Sequence, residues 1–527
     1  MVLGIVRCTQ SRSFLGGRWA LGAVPLLFLL VMLVAPAVRL LMEGGSADPW
    51  APWQDAYLRG RLLWSLAQAF ITCALVLLMG LPMAWVLARL EFPGRGLLLR
   101  SLMLPFVVPT LVAAMGVMAL MGPRGLLAQW GGPDLQGTPW LLLYGNLFFN
   151  LCVLVRAAVD ALSQVSAARV AAARSLGATP WRAFWRVEWP AIAPWLASAL
   201  CLVFLYCFSG FGLALVLGGQ DYATVEVEIY TLVAHELQLG QAGVLSVWML
   251  VLTGTVAWAY AAVERRMAAP ARADTVPRKP VQGLRAWSAV LLTACVWVLI
   301  CAAPLVAIAH GAMVSGATAW RVLGEEDTLL ALYNTARFSC AALVVATGLG
   351  VAHALAAQRV LWLRTLVFLP FIVSPVMVAF GLLLLYPQAS GSFWVLVGAY
   401  ALLAYPFVAK SVAARLDSLP AHYQEAARSL GASPWRSFWR VTLPLLAPAL
   451  RRGMAFAAAT AVGEFAASLF LSRPEWVTLT TLMYQHLGKP GAANLAAAHV
   501  LACVLMGLAL LAFLLIEWPA REEDSRA

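Results

Sequence analysis

Residues 171–190 read AAARSLGATPWRAFWRVEWP, and residues 425–444 read EAARSLGASPWRSFWRVTLP. These are the first and second duplicated segments. Fifteen of their twenty positions are identical, and the offset of 254 residues holds without a gap as far as Tyr230 and Tyr484. Residues 104–110 (LPFVVPT) and 369–375 (LPFIVSP) form a second repeat, at an offset of 265. Self-similarity of this extent indicates that the chain consists of two homologous halves.

The composition around these segments is that of a membrane protein. Of the 527 residues, 62% are hydrophobic and 11% are charged, whereas soluble domains carry about 25% charged residues. A soluble globular protein and a disordered chain are therefore excluded. Six apolar runs precede a polar, proline-rich stretch and six follow it, most of them long enough to cross a ~30 Å hydrocarbon core. The runs are 20–38, 62–88, 101–121, 140–155, 191–216 and 242–263, then 287–309, 329–357, 366–385, 393–409, 453–471 and 493–516.

The predicted fold is an all-α integral membrane protein of about twelve transmembrane helices. Residues 1–263 form the first six-helix half, 264–285 a cytoplasmic linker, and 286–527 the second half. Because each half crosses the membrane an even number of times, a pseudo-two-fold axis along the membrane normal should relate the halves. A substrate path between them is the natural expectation.

The positive charges predict the orientation. When the N-terminus is placed in the cytoplasm, 28 of the 36 Lys and Arg residues fall on the cytoplasmic side, so both termini are expected there. The net charge of +12 also invites a nucleic-acid interpretation, but the basic residues form no block, and we expect no nucleic-acid partner. The first run resembles a signal peptide with Ala35-Pro36-Ala37 as a cleavage site. The equivalent run 287–309 is internal, which favours retention.

Each duplicated segment predicts two helices separated by a sharp turn. Gly177 can end the first helix in the left-handed conformation. Thr179 and Pro180 then supply an N-cap hydroxyl and a first-turn proline for a second short helix, which Pro190 should end. The second duplicated segment repeats this pattern with Gly431, Ser433, Pro434 and Pro444.

An aromatic stripe follows the predicted second helix, where Trp181, Phe184 and Trp185 recur at i, i+3 and i+4. The same stripe returns as Trp435, Phe438 and Trp439. One interpretation is an interfacial helix that lies among lipid headgroups. The high identity of the two copies instead favours docking to a protein partner, since the surrounding helices have diverged.

The pattern Glu-Ala-Ala, three residues, Gly and a closing hydrophobic-Pro is similar to the cytoplasmic coupling loop of permease subunits of binding-protein-dependent ABC importers. Two copies in one chain resemble the fused permeases, and within that family the permeases for thiamine and thiamine pyrophosphate. Ala171 departs from the pattern, because it stands where the second copy has Glu425. The residues that match the coupling motif are Ala172, Ala173, Gly177, Pro180, Trp181, Phe184 and Trp185, and Glu425, Ala426, Ala427, Gly431, Pro434, Trp435, Phe438 and Trp439.

The resemblance implies a set of partners. Two ATP-hydrolysing ABC subunits would receive the coupling loops on the cytoplasmic face of a bacterial inner membrane, and a periplasmic substrate-binding protein would dock on the outer face. The chain has no GxxxxGK[ST] phosphate loop, so a transport subunit without enzymatic activity or cofactor is expected. Ferric ion is the alternative substrate, and an ion-driven secondary transporter is the competing class.

Glu464 is the candidate residue on the translocation path, since ionisable groups within spans are costly and often functional. Its counterpart in the first half is Gly210. A carboxylate that stabilises helix packing is the alternative. We expect structural roles for Arg337, His353 and His499 and no metal site. The resemblance implies that the charged residues of the outer loops contact the binding protein, with a solvated loop as the alternative; these residues are Asp221, Glu226, Glu228 and Glu236 in the first half and Arg473, Glu475 and Lys489 in the second.

Overall fold

The computed structural model describes residues 16–45, 48–264, 276–358, 360–389, 391–420, 422–471 and 473–526. Most of them are helical, because a backbone in lipid must satisfy its own hydrogen bonds. The two-stranded parallel sheet in the described residues joins Leu90–Glu91 to Lys279–Pro280. This pairing ties the described part of the predicted linker to the end of the second long helix, whereas residues 265–275 of the linker lie outside the described residues.

The predicted fold class is confirmed. Ten helices in the described residues are long and apolar enough to cross a membrane, and the number is eleven if Trp362–Ile372 and Pro375–Leu385, bent by 89° relative to each other, form one span. The ten are Gly22–Gly44, Ala56–Arg89, Thr110–Gln129, Pro139–Ser163, Pro180–Phe208, Leu239–Val263, Leu284–Val314, Glu326–Ala357, Phe393–Ser418 and Ala492–Ile516. Leu443–Val462 fills the remaining position of the second half, although Arg451 and Arg452 reduce its hydropathy.

Four of the predicted runs are broken helices rather than continuous spans. The run 101–121 breaks between Leu104–Val107 and Thr110–Met121, because the residue before Pro109 avoids the α conformation. The run 366–385 breaks in the same way before Pro375. Breaks also follow two long helices of the repeat, and short helices resume at Phe211–Leu217 and Ala466–Leu471.

The two halves exchange their first helices. Gly16–Leu29 packs against Glu326–Ala357 of the second half, and Leu284–Trp297 packs against Ala56–Arg89 of the first. The fit is close, since a side chain at Gly381 would place its Cβ 2.7 Å from the carbonyl oxygen of Pro36. Each predicted half therefore contributes one helix to the surface of the other.

When the bent pair Trp362–Ile372 and Pro375–Leu385 counts as one crossing, six crossings separate Pro180 from Pro434, and both duplicated segments then lie at the same end of the bundle. The end that carries the duplicated segments is called the loop end, and the opposite end of the bundle is called the far end. The helix breaks before Phe211 and Ala466 lie beyond the long helices that leave the loop end, and they line the space between the halves. The breaks therefore create the irregular backbone from which a cavity can form.

Candidate functional site

The turn in each duplicated segment has the predicted caps. Helices Ala167–Ser175 and His422–Ser429 are followed by Gly177 and Gly431, whose φ angles of 83° and 77° are left-handed. The Thr179 hydroxyl accepts a hydrogen bond from the Arg182 backbone N–H at 3.3 Å. Ser433 accepts the equivalent bond from Arg436, also at 3.3 Å. The two segments therefore repeat the same local structure.

The prediction of a short second helix is wrong. Pro190 and Pro444 do not end it, because the π-helical turns Phe184–Glu188 and Phe438–Thr442 connect it to the long helix that follows. A π turn shifts the hydrogen-bond register, so that each proline falls at the start of the regular α-helix, where its missing N–H is tolerated. The aromatic stripe therefore lies on the first turns of a helix that extends from Pro180 to Phe208.

The stripe leaves large apolar side chains exposed at the loop end. Trp181 is 69% exposed and Trp435 is 70% exposed, and each lies 5.5 Å, between ring centroids, from the tryptophan one turn later. Leu176 and Leu430 in the turns are 89% and 87% exposed. A rigid, exposed aromatic cluster that is built twice is typical of a docking surface.

The other motif residues differ in exposure. Ala172, Pro180, Glu425, Ala426 and Pro434 are exposed, Ala173, Phe184 and Phe438 are half-buried, and Ala427 is buried. The side chain of Glu425 has no ion-pair or hydrogen-bond partner among the described residues. Its carboxylate is therefore available to another molecule.

A buried ion pair anchors only the first duplicated segment. The Arg89 guanidinium donates to the Glu188 carboxylate at 2.6 Å, and both side chains are about nine-tenths buried. Arg89 ends the helix Ala56–Arg89, and Glu188 belongs to the π turn. Thr442 occupies the position of Glu188 in the second copy. Sequence reasoning missed this pair, although Glu188 was one of the five positions at which the copies differ.

A cavity of about 270 Å³ lies between the halves at the helix breaks. The repeated LPF motifs contribute Phe106 and Phe371 to its wall, and Tyr206 and Phe407 lie between them. The ring centroid of Phe106 is 5.9 Å from that of Phe407, and the centroid of Phe371 is 6.1 Å from that of Tyr206. The loop-end side of the cavity is therefore an aromatic layer, which hydropathy could not distinguish from lipid-facing residues.

Polar groups on the cavity wall differ between the halves. In the first half Asn146 donates to the side-chain oxygen of Gln68 at 2.7 Å, and Asn150 donates to the Asn146 carbonyl at 2.9 Å. The counterpart of Asn146 is Tyr400, which is not among the described residues that line the cavity; its hydroxyl lies 2.5 Å from that of Ser468. A symmetric backbone therefore carries an asymmetric set of polar groups.

Glu464 lines the cavity, as does its counterpart Gly210. Its side chain is buried, and one carboxylate oxygen accepts from the backbone N–H of Ala467 at 3.0 Å. The carboxylate thus caps the short helix Ala466–Leu471 while it borders the cavity. Glu464 therefore lines the cavity, as expected of a residue on the translocation path, and also stabilises a helix, as expected of a structural carboxylate.

The expectation that Glu226 and Glu228 lie on an outer surface is wrong, because helix Val225–Ala234 folds back into the protein and buries both. Glu228 accepts from the Tyr57 hydroxyl at 2.9 Å and lies 3.6 Å from Arg61. Neither carboxylate oxygen of Glu226 has a hydrogen-bond partner in the described part of the chain. Burial raises the pKa of Glu226 to about 8, and the nearby Ser374 hydroxyl opposes this shift without completing a hydrogen bond. Asp221 and Glu236 are exposed.

The remaining polar residues within spans have local partners. The Arg337 guanidinium lies 4.9 Å from the centroid of the Phe338 ring and 5.2 Å from that of Tyr333. The ring nitrogen Nε2 of His353 lies 2.8 Å from the Leu363 carbonyl oxygen, and the ring of His499 packs against Gly311. Among the described residues no three His, Cys, Asp or Glu side chains are grouped as metal ligands would be.

Comparison with known proteins also finds two repeats in the chain. Residues 77–269 and 346–521 each match the family described as binding-protein-dependent transport system inner membrane component. The chain is 27% identical to the thiamine transport system permease protein ThiP of Escherichia coli, over 97% of this chain and 98% of that protein. It is 26% identical to ThiP of Haemophilus influenzae, over 94% and 95%. The sulfate transport system permease protein CysW of Synechocystis is 31% identical over 38% of this chain and 76% of its own length.

Proposed function

The chain belongs to the family of binding-protein-dependent transport system inner membrane components, and from that premise we propose that it is the fused permease subunit of an ATP-driven thiamine importer. It is a multi-pass inner membrane protein and a transport subunit. Its partners are an ABC ATPase and a substrate-binding protein. The observation that carries the proposal is the pair of exposed aromatic surfaces at the loop end, because two equal surfaces fit two ATPase subunits.

The loop end faces the cytoplasm in this proposal, together with both termini. The support is the distribution of positive charge, since 28 of 36 basic residues then lie on the cytoplasmic side. The far end consequently faces the periplasm and receives the binding protein. The first apolar helix is retained, because it packs against the second half of the protein.

The motif residues of the duplicated segments insert into the ATPase subunits. Closure of two ATPase subunits around ATP would bring the duplicated segments together. Each segment is continuous through its π turn with a helix that reaches the cavity, so that movement at the loop end is transmitted along the helix. In the first half the Arg89–Glu188 pair adds the helix Ala56–Arg89 to the moving unit.

Thiamine and its pyrophosphate are favoured over ferric ion by the lining of the cavity and by the relatives named for thiamine transport. Phe106, Phe371 and Tyr206 line the cavity with aromatic rings, and the face of an aromatic ring attracts a cationic heterocycle. Ferric ion prefers several oxygen ligands, and Glu464 is the only acidic residue that lines the cavity in the described part of the chain. Glu464 places a carboxyl group on the path.

The test is uptake of radiolabelled thiamine by proteoliposomes that contain the permease with its ATPase and binding protein. We expect uptake that requires ATP and is unaffected by excess ferric ion. Uptake driven by an ion gradient without ATP would contradict the importer class. ATP-dependent uptake of iron but not thiamine would contradict the substrate while leaving the class intact.

A further inference from the structure

A pair of stacked phenylalanines lies across the interface between the halves. The rings of Phe211 and Phe465 have centroids 5.8 Å apart and planes inclined by 17°. The two residues are equivalents at the offset of 254, so that the pair lies at the pseudo-two-fold axis. Their exposed fractions are 4% and 2%, and both residues line the cavity.

Two tyrosines pack against the stacked pair, one against each phenylalanine. Tyr230 lies 5.5 Å from Phe211, and Tyr484 lies 5.3 Å from Phe465, measured between ring centroids. These tyrosines are also equivalents in the repeat. Phe211 begins the short helix Phe211–Leu217, and Phe465 lies in the break between the long helix Leu443–Val462 and the short helix Ala466–Leu471. A helix break therefore separates each ring from the long helix before it.

The stacked pair and the aromatic layer lie at different levels of the cavity. The long helices run from the loop end towards the far end, and along them Tyr206 precedes Phe211 and Phe456 precedes Phe465. Phe456 belongs to the aromatic layer, since its ring centroid is 5.7 Å from that of Phe106. The wall of the cavity therefore carries the aromatic layer towards the loop end and the stacked pair further towards the far end.

We propose that Phe211 and Phe465 are specificity-determining residues, which close the far end of the cavity when stacked on each other and bind a planar aromatic cation when separated. Separating the rings exposes two aromatic faces, and a flat cation restores the contact that each face has lost. A ferric ion or an aliphatic cation restores less of it. Glu464, adjacent to Phe465, places a carboxylate beside the same position.

This inference rests on the proposed function and is tested in the same proteoliposomes with thiamine as the probe. The variant Phe211→Leu/Phe465→Leu keeps apolar groups that close the cavity but removes both ring faces. We expect ATP hydrolysis stimulated by the loaded binding protein to be retained, and thiamine transported per ATP to fall roughly tenfold, as expected for the loss of one or two cation–π contacts. The matched variant Phe211→Tyr/Phe465→Tyr keeps the ring faces and should retain transport.

Closure is measured separately by the efflux of preloaded thiamine without ATP. The variant Phe211→Ala/Phe465→Ala should leak, whereas the Leu variant should not. If the Leu variant transports thiamine with unchanged efficiency, or the Ala variant does not leak, the inference is overturned while the importer function stands. If the unmodified protein shows no ATP-dependent thiamine uptake, the proposed function itself fails. Should a double variant fail to assemble, the corresponding single variants give the same comparison.

Discussion

The two duplicated segments have nearly identical exposed surfaces but are attached to the bundle differently. Their caps, glycine turns and aromatic stripes correspond residue for residue. The first segment has a buried ion pair between Arg89 and Glu188 and lacks an acid at position 171, whereas the second has an exposed Glu425 and a threonine at 442. The difference indicates that a partner constrains the exposed face, while the buried attachment of each half has been free to change.

The cavity walls show the same relation between symmetry and divergence. The helix breaks and the Phe211–Phe465 pair follow the repeat, but the polar groups do not. The first half provides the amides of Asn146 and Asn150, and the second provides the carboxyl group of Glu464. An asymmetric wall suits a solute that is itself asymmetric, whereas the symmetric backbone serves the motion of the two halves.

Removal of the aromatic stripes should have the largest effect. We expect Trp435→Ala/Trp439→Ala to weaken ATPase binding by roughly 100-fold or more, because two exposed tryptophans of this kind act as interface hot spots. Trp181→Ala/Trp185→Ala should have an effect of similar size if both surfaces dock equally. Co-purification of the ATPase measures this, with Trp130→Ala, an exposed tryptophan outside both segments, as the control. Normal co-purification of both double variants would contradict docking through the stripes.

Breaking the ion pair should affect only the first half. Arg89→Ala leaves Glu188 buried and unpaired, which costs about 3–5 kcal/mol. The double variant Arg89→Ala/Glu188→Thr, which introduces the residue of the second copy, should recover much of that loss. Thermal unfolding of the purified permease measures both. Equal stability of the single and double variants would show that the pair is not coupled.

The substitution Glu464→Gln separates the electrostatic role of this side chain from its helix-capping role. The Glu464→Gln side chain still accepts from the Ala467 N–H, so the short helix should persist. We expect thiamine uptake to fall about fivefold at unchanged protein level, through loss of the attraction between the carboxylate and the cation. A variant with wild-type uptake would assign Glu464 to helix capping alone. Gly210, its counterpart, provides no charge to compensate.

The smallest effect is expected from equalising the two motifs. Ala171→Glu introduces the acid that the first segment lacks, and Glu425→Ala removes it from the second. Because surface ion pairs contribute about 0.2–1 kcal/mol, ATPase affinity should rise up to about fivefold in the first variant and fall by a similar factor in the second. Titration of the ATPase into nanodiscs measures both changes. Unchanged affinity in both variants would place the carboxylate outside the interface.

Sequence reasoning predicted the halves, the helical class and the caps of Thr179 and Ser433, because these depend on hydropathy, repeats and local backbone preferences. It placed continuous spans across Pro109 and Gly463, where helices break, since an apolar run has the same hydropathy whether it is straight or broken. It also ended the second helix of each duplicated segment at Pro190 and Pro444. A π turn accommodates a proline through a shift of register that local rules do not include.

Local information in the chain was thus sufficient for the double repeat, the apolar helices and the exposed tryptophan stripes, each of which is encoded by neighbouring residues. The tertiary structure alone decided that Phe211 stacks on Phe465, that Arg89 meets Glu188, and that Glu226 is buried. These contacts join residues about 100 or more positions apart or depend on a helix that folds back into the protein. Their energies arise from packing and desolvation between elements, which no pattern along a single helix contains.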